Sequence, residues 1–312
     1  ELLGVEALDD NVFGLHSPSG EYVLKVMHRR ALLSHQRYEF WLIKALRRQN
    51  ISFYLPMPIL DTQGEAFHQR ENGDVWVLTR RFYGEHIVPG NVDHAYVVGA
   101  ALSEFHRAAQ SLPPLLRPDY LEYSLKQRTL PHIRAPLPTD VAQLGLQATP
   151  EGQHRLERFR RLARQFTTAP PLPHNALLWH ITHGDFFGEH LLYDGDRITA
   201  VLDFKHAHPD YRAREFAETL LRVGGDLTPI FWGTARAFVE GYAEHAALTD
   251  VEIHLVPRFM VETQVERILY YGHSGQPAHA ARALRGQEEI SAWLEVEESR
   301  LIAMLRGTFL GE

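Results

Sequence analysis

The 312-residue chain contains no cysteine. Disulfides and thiolate metal sites are thereby excluded, which fits a reducing compartment. Positive charge is not in excess: 32 Lys and Arg stand against 39 Asp and Glu, a formal net charge of -7 with the 19 His neutral. The basic footprint of a nucleic-acid binder is missing. No stretch approaches the roughly 18 apolar residues of a membrane span, and the acidic opening ELLGVEALDD lacks the pattern of a signal peptide. A cytoplasmic protein is expected, with neither nucleic acid nor membrane as partner. Glu1 in place of Met leaves open whether residues precede it. No repeat period and no low-complexity tract appear. What is present is 45% hydrophobic residues, enough for real cores, on a chain long enough for a bilobed enzyme or two modest domains.

The densest chemistry lies in THGDFFGEHLLYDGDRITAVLDFKHAHPDYRAREF, Thr182 to Phe216. Leu191 to Tyr193 and Ile198 to Leu202 flank a turn of Asp194, Gly195, Asp196 and Arg197, a hairpin pattern. Counting outward from that turn brings His190 and Asp203 to one end of the ribbon, roughly 7 Å apart or less at strand rise. Asp185 sits just before it in a Gly-containing loop. One local unit thus presents two acids and a potential metal ligand.

Before this stretch, Asn11 to His16 and Glu21 to Met27 read as strands around Ser17, Pro18, Ser19 and Gly20. Lys25 shares a strand face with Val23 and Met27; a stem lying along the sheet with its head in water is the plain explanation. A helix is expected from about Ser34 to Arg48, with Tyr38, Trp41, Leu42, Ala45 and Leu46 on one face and Glu39 beside it. Strands are expected at Ile59 to Asp61, Glu65 to Arg70 and Val75 to Arg81. The sum is an antiparallel sheet of about five strands with one helix, an α+β layer, leading out through Phe82 to Glu85.

From Val92 the pattern turns helical, with Val97, Val98, Ala101, Leu102 and Phe105 on one face. Residues 111 to 150 are Pro-rich and irregular, as a lid or substrate-facing insertion would be. Helices are expected near Glu151 to Gln165, Arg212 to Val223, Pro229 to His245 and Asp250 to Tyr271, with a C-terminal pair within Ala278 to Leu305.

The order Lys25, Glu39, hinge, His183 with Asp185, then Asp203 with Phe204 resembles the aminoglycoside phosphotransferase and choline kinase superfamily, in its homoserine-kinase-like branch. The segments that carry the resemblance are GEYVLKV, YLPMPIL, LTRRFYGE, VVGAALSEFHRA, HGDFFGEHLLYDGDRITAVLDF and FVEGYAEHAALTDVEIHLVPRFM, over roughly residues 8 to 275. It implies a bilobed protein-kinase-like fold: a small antiparallel sheet lobe, residues 1–86, that binds nucleotide, and a larger mostly helical lobe, residues 87–312, for catalysis and substrate. It implies an ATP-dependent kinase that moves the γ-phosphate to a hydroxyl of a small molecule: an amino alcohol such as homoserine first, an aminoglycoside or sugar next. Asp185 would be the catalytic base and Asp203 a ligand of Mg2+. Lys25 would contact the α and β phosphates, oriented by Glu39, and His183 would be a scaffold near Asp203. The hinge from Thr79 to Tyr83, with Arg80 and Phe82, would meet adenine.

The chain departs from the family pattern at His190, where Asn, the second metal ligand, is usual; imidazole suits Mn2+ or Zn2+ better than Mg2+. Altered metal choice, a single-metal enzyme and lost activity are all open at this point. A nucleotide-binding pseudokinase or regulatory module is therefore the alternative, and AMP transfer or protein phosphorylation a third. Lys205 stands where a small or acidic residue is common, and either faces solvent or reaches a phosphate. Glu215 and Glu218 read as structural, Glu215 in the place of the family's Asp. The spacing of His174, His180, His183, His190, His206 and His208 matches no helical zinc pair, so no dedicated zinc site is expected. Glu240, Asp250, Glu252 and Glu262 are either recognition groups for an amine or solvated helix faces.

Overall fold

A computed structural model describes residues 2–27, 33–114, 137–168, 172–225 and 230–312. The chain opens with three antiparallel strands, β1 (Gly4–Asp9), β2 (Val12–Ser17) and β3 (Gly20–Met27), then α1 (Leu33–Leu46), β4 (His68–Gln69) and β5 (Val75–Arg80). They form one five-stranded sheet in the order β1-β2-β3-β5-β4. In β3, Lys25 lies opposite Val12 on one side and Val77 on the other, so it sits in the middle of the sheet. The expected strand at Ile59 to Asp61 is instead an extended segment, tied to β5 by an Ile59 N–H to Leu78 carbonyl bond of 2.7 Å. The expected Glu65 to Arg70 strand shortens to His68–Gln69. The fifth strand is β1, whose residues after Gly4 are exposed and so carry no two-residue alternation to read.

Beyond β5 the chain passes through residues 81–84 to β6 (Glu85–His86), then α2 (Val92–Gln110). The Asn91 side chain accepts from the Asp93 and His94 amides, which satisfies orphan donors at the start of α2. Most of the Pro-rich stretch falls on residues 115–136, outside the described residues. After it come a 3-10 turn (Val141–Leu144), α3 (Pro150–Thr168), β7 (Trp179–Thr182), β8 (Leu191–Asp194), β9 (Arg197–Val201) and β10 (His208–Tyr211). The β8–β9 hairpin is as the turn residues predict, and β6 adds to it as a third strand. The two-stranded ribbon β7–β10 was not expected; its strands are four residues long, and β10 contains Pro209.

Four helices complete the chain: α4 (Arg212–Gly225), α5 (Trp232–Tyr242), α6 (Asp250–His273) and α7 (Pro277–Leu310). The expected C-terminal pair is a single helix of 34 residues. The main core joins α1, α2, α4, α5 and α6 through residues such as Leu42, Leu102, Phe105, Phe216, Phe238 and Phe259. A second cluster, with Leu144, Phe159, Leu269 and Leu284, ties α3 and the 3-10 turn to α6 and α7. α2 and α5 approach closely at Gly99 and Gly241, where an added Cβ would stand 2.1 Å from the Phe238 carbonyl oxygen and 2.0 Å from that of Tyr96. Among the described residues no helix is long and apolar enough to cross a membrane. The architecture is a bilobed α+β fold of the protein-kinase type, a small antiparallel sheet lobe beside a larger helical lobe.

Candidate active site

A cleft of about 990 Å3 opens between the sheet and the β8–β9 hairpin. Its walls include Lys25 from β3, Glu39 from α1, the 79–84 connection with Arg80 and Phe82, and His190, Asp203 and Lys205 from the hairpin's open end. The sequence separation between these walls is about that of two lobes, and the sheet order explains it: β3 and β5 are neighbours, so Lys25 and the connection after β5 share one edge of the cleft. The Phe82 ring stacks on Tyr54 at 5.7 Å.

Asp203 follows β9 directly, with φ 60° and ψ 71°, a left-handed conformation rare outside glycine and often kept where function requires it. Its carboxylate lies 2.8 Å from Lys205 Nζ and 3.9 Å from Lys25 Nζ. Burial opposes ionisation there, but the two ammonium groups win and hold the carboxyl well below the usual range. Lys205 is partly buried, which works against its charge, yet Asp203 raises it, with Asp185 and Glu39 adding to the effect. Glu39 also accepts a hydrogen bond from Gln36 at 3.1 Å. Among the described residues the ion pair of Lys25 is with Asp203, not with Glu39.

The loop after β7 carries His183, Gly184 and Asp185. Gly184 has φ +78°, and an added Cβ would meet the His206 carbonyl oxygen at 2.4 Å, so only glycine fits this turn. His183 is fully enclosed by Phe105, Phe186 and Phe204. Its Nδ1 accepts from the Asp185 amide at 3.3 Å, which leaves Nε2–H to donate to the Leu202 carbonyl at 3.0 Å. Burial depresses its pKa, in accord with that neutral tautomer. His183 therefore joins the two loops that carry Asp185 and Asp203 and has no exposed surface for proton transfer to a ligand. Glu215, at the start of α4, receives the Gly184 amide at 2.5 Å, the His183 amide at 3.1 Å and His106 Nε2 at 2.9 Å. It braces the loop from beneath, and burial raises its carboxyl against those donors.

Asp185 points toward His190 and α4. His190 Nε2 lies 3.2 Å from Asp185 Oδ2, and His190 Nδ1 lies 3.9 Å from Asp203 Oδ2, so the imidazole stands between the two acids. The other oxygen, Asp185 Oδ1, is 3.0 Å from Arg222 Nη2. Sequence reasoning missed Arg222: four residues after Glu218 on a helix, it has the look of an ordinary surface pair. Of the four acidic residues weighed for amine recognition, Glu240 and Asp250 are exposed on their helices, while Glu252 and Glu262 are committed elsewhere. Glu252 is buried on Arg212 at 2.6 Å, and Glu262 is buried between Arg214 at 2.7 Å and Arg258 at 2.8 Å. Neither is a solvated helix face.

Residues 2–252 match the model of the Phosphotransferase enzyme family. The homoserine kinase of Bradyrhizobium sp. (strain ORS 278) is 25% identical over 255 residues, covering 81% of this chain and 73% of its own length. That of Nitrobacter hamburgensis is 26% identical over 259 residues, covering 81% and 72%. Among solved structures, an aminopropanol kinase associated with microcompartments superposes with a TM-score of 0.65 at 17% identity, covering 98% of this chain and 94% of that one. An amicoumacin kinase in complex with AMP-PNP, Ca2+ and Ami gives 0.64 at 17%, covering 92% and 88%. The matched span takes in Lys25, Glu39, the 79–84 connection and the loops of Asp185 and Asp203, so the chain belongs to the phosphotransferase enzyme family and is a small-molecule kinase.

Proposed function

We propose that the protein transfers the γ-phosphoryl group of ATP to a hydroxyl of a small molecule, with residues 1–86 holding the nucleotide and 87–312 the acceptor. The observation that carries this reading is Asp185 and Asp203 held on two loops joined through His183, with Asp203 in a cleft that also holds Lys25. Phosphoryl transfer asks for positioning and charge rather than covalent chemistry from the protein. In this reading the adenine lies along the 79–84 connection, against Phe82 and the Arg80 backbone, and Lys25 Nζ leaves Asp203 to meet the phosphates. Lys205, paired with Asp203 at a half-exposed position, supplies a second ammonium to the same phosphates. Asp185 orients the acceptor hydroxyl and takes its proton. Homoserine or a related amino alcohol is the first acceptor to test, since the full-length relatives named above are homoserine kinases.

A divalent ion fits the residues present: Asp203 is kept ionised in a partly buried position, the donor that a hard cation sharing its remaining sites with phosphate oxygens and water requires. Asp203 would hold it, with His190 beside, as Mg2+ or, because of the imidazole, Mn2+. When bound it neutralises charge on the phosphates. A second reading, a nucleotide-binding pseudokinase or regulatory module, draws on His190, whose ring already touches Asp185. Acceptor-dependent ADP release over a panel of amino alcohols, aminoglycosides and sugars, in Mg2+ and in Mn2+, separates the two. Turnover with any acceptor supports the kinase. No turnover in either metal, with ATP still raising the Tm, would establish the binding module.

A further inference from the structure

Arg222 belongs to a cluster on the far side of Asp185 from the nucleotide cleft. Its Nη2 and that of Arg267, on α6, both reach Oε1 of Glu218 at 3.5 Å. The Arg222 guanidinium also lies over the Phe187 ring, 5.3 Å from its centroid. Neither Arg222, Arg267 nor Asp185 is among the residues that line the 990 Å3 cleft, whereas Lys25 and Lys205 are. The phosphates thus have their own cations, and the guanidinium pair lies beside Asp185, outside the lining of that cleft. Both arginines are largely enclosed, with side-chain exposures of 15% and 11%, and the Nε of each is buried without a hydrogen-bond partner. The two guanidinium groups share the carboxylates of Glu218 and Asp185, and an enclosed donor without a partner, as each Nε is, is costly unless a ligand completes it.

The positions of these groups are fixed by their surroundings. Arg214, two turns before Arg222 on α4, is buried on Glu262 and Glu266 of α6 at 2.7 and 2.6 Å, which holds the two helices in one register. Arg222 and Arg267 are therefore presented as a set and not as two independent surface side chains.

Resting on the phosphotransferase reading above, we infer that Arg222 and Arg267 recognise a carboxylate on the acceptor, so the substrate class is a small hydroxylated carboxylic acid rather than a polycationic alcohol. The carboxylate takes over the Arg222 guanidinium, which frees Asp185 Oδ1 for the acceptor hydroxyl. An acceptor without an anionic group leaves Arg222 on Asp185 and the base occupied. A cationic acceptor meets like charge at the same place.

The test is calorimetric binding to the full chain, in the presence of a non-hydrolysable ATP analogue and Mg2+. The probes are L-homoserine, 4-hydroxybutyrate and glycerate, each against its own carboxamide. At least one acid should bind roughly 10- to 100-fold more tightly than its amide, the range expected of a charge-assisted guanidinium contact. Arg267→Met should remove most of that preference while the analogue's own affinity holds. Arg267→Lys, which keeps charge and bulk but not the fork, should show an intermediate preference and serves where the Met variant does not fold. No preference for any acid, or a loss of nucleotide affinity in place of acid preference, would overturn the inference. The kinase reading fails separately, by the absence of ADP release with every acceptor, a result that leaves the binding comparison standing.

Discussion

The two acids of the site live in different electrostatic surroundings. Asp203 faces ammonium groups on long half-exposed stems, with 45% and 53% of the Lys25 and Lys205 side chains accessible. Asp185 faces a guanidinium enclosed between helices and packed on an aromatic ring. Lysine is a mobile point charge and arginine a rigid fork, so the first arrangement can be rearranged by an incoming nucleotide at small cost, while the second is prepared in advance. The same contrast extends outward. Behind Asp185 lies a buried network in which Arg214 meets Asp210, Glu262 and Glu266, and burial pushes the Glu266 carboxyl up to about 8 despite Arg214. Behind Asp203 lies the short β8–β9 hairpin, whose Leu191, Ile198 and Val201 pack into the main core.

Breaking the rigid side should have the largest effect. Arg214→Met removes the cation shared by Asp210, Glu262 and Glu266, leaving Glu262 on Arg258 alone, and should cost about 3–5 kcal/mol of stability, the usual toll of breaking a buried pair from one side. Chemical denaturation reads this directly, and a loss below about 1 kcal/mol would show that the network does not hold the helices. On the mobile side, Lys25→Ala should leave the denaturation midpoint nearly unchanged and lower kcat/KM about 10²- to 10³-fold, the effect of losing one charge aimed at the reacting group. If Lys25→Ala instead unfolds the protein, the lysine is part of the sheet's structure and the contrast fails.

A third prediction concerns pH. His106 and His180 are buried near the loop of His183 to Asp185, and burial lowers both to about 3. Each is neutral in the folded chain and titrates near its ordinary value when unfolded, so its contribution to stability is complete above pH ~6.5 and is lost as pH falls toward 3. The slope should approach about 1.4 kcal/mol per pH unit for each histidine. The difference in unfolding free energy between the unaltered chain and His180→Gln, followed from pH 7 to pH 4.5, checks the sign, since the raised Glu215 and Glu266 carboxyls contribute the opposite slope to both chains. The smallest effect is expected from the half-exposed pair Arg155 with Glu288, 2.7 Å apart on α3 and α7: Arg155→Ala should cost about 0.2–1 kcal/mol.

Much of this architecture is legible in the sequence because its signals are local. The 194–197 turn predicts the β8–β9 hairpin, and the spacing of Val98, Leu102 and Phe105 predicts α2. The order of Lys25, His183, Asp185 and Asp203 carries the family. What escaped depends on partners far away along the chain. Glu252 and Glu262 look like solvated acids until Arg212 and Arg214, 40 and 48 residues earlier, come to lie against them. Arg222 is indistinguishable in sequence from a helix-surface arginine. β1 is missed because its residues after Gly4 are exposed and it joins the sheet through one neighbour, β2.

In the proposed reaction Asp185 accepts the proton of an acceptor hydroxyl as phosphate is transferred. Acceptor-dependent ADP release by Asp185→Asn is to be compared with that of the unaltered chain at equal Tm. A fall of about 10²- to 10⁴-fold in kcat is expected, the contribution of a positioned general base, with the affinity for ATP little changed. An Asp185→Asn variant that releases ADP at the unaltered rate would contradict it.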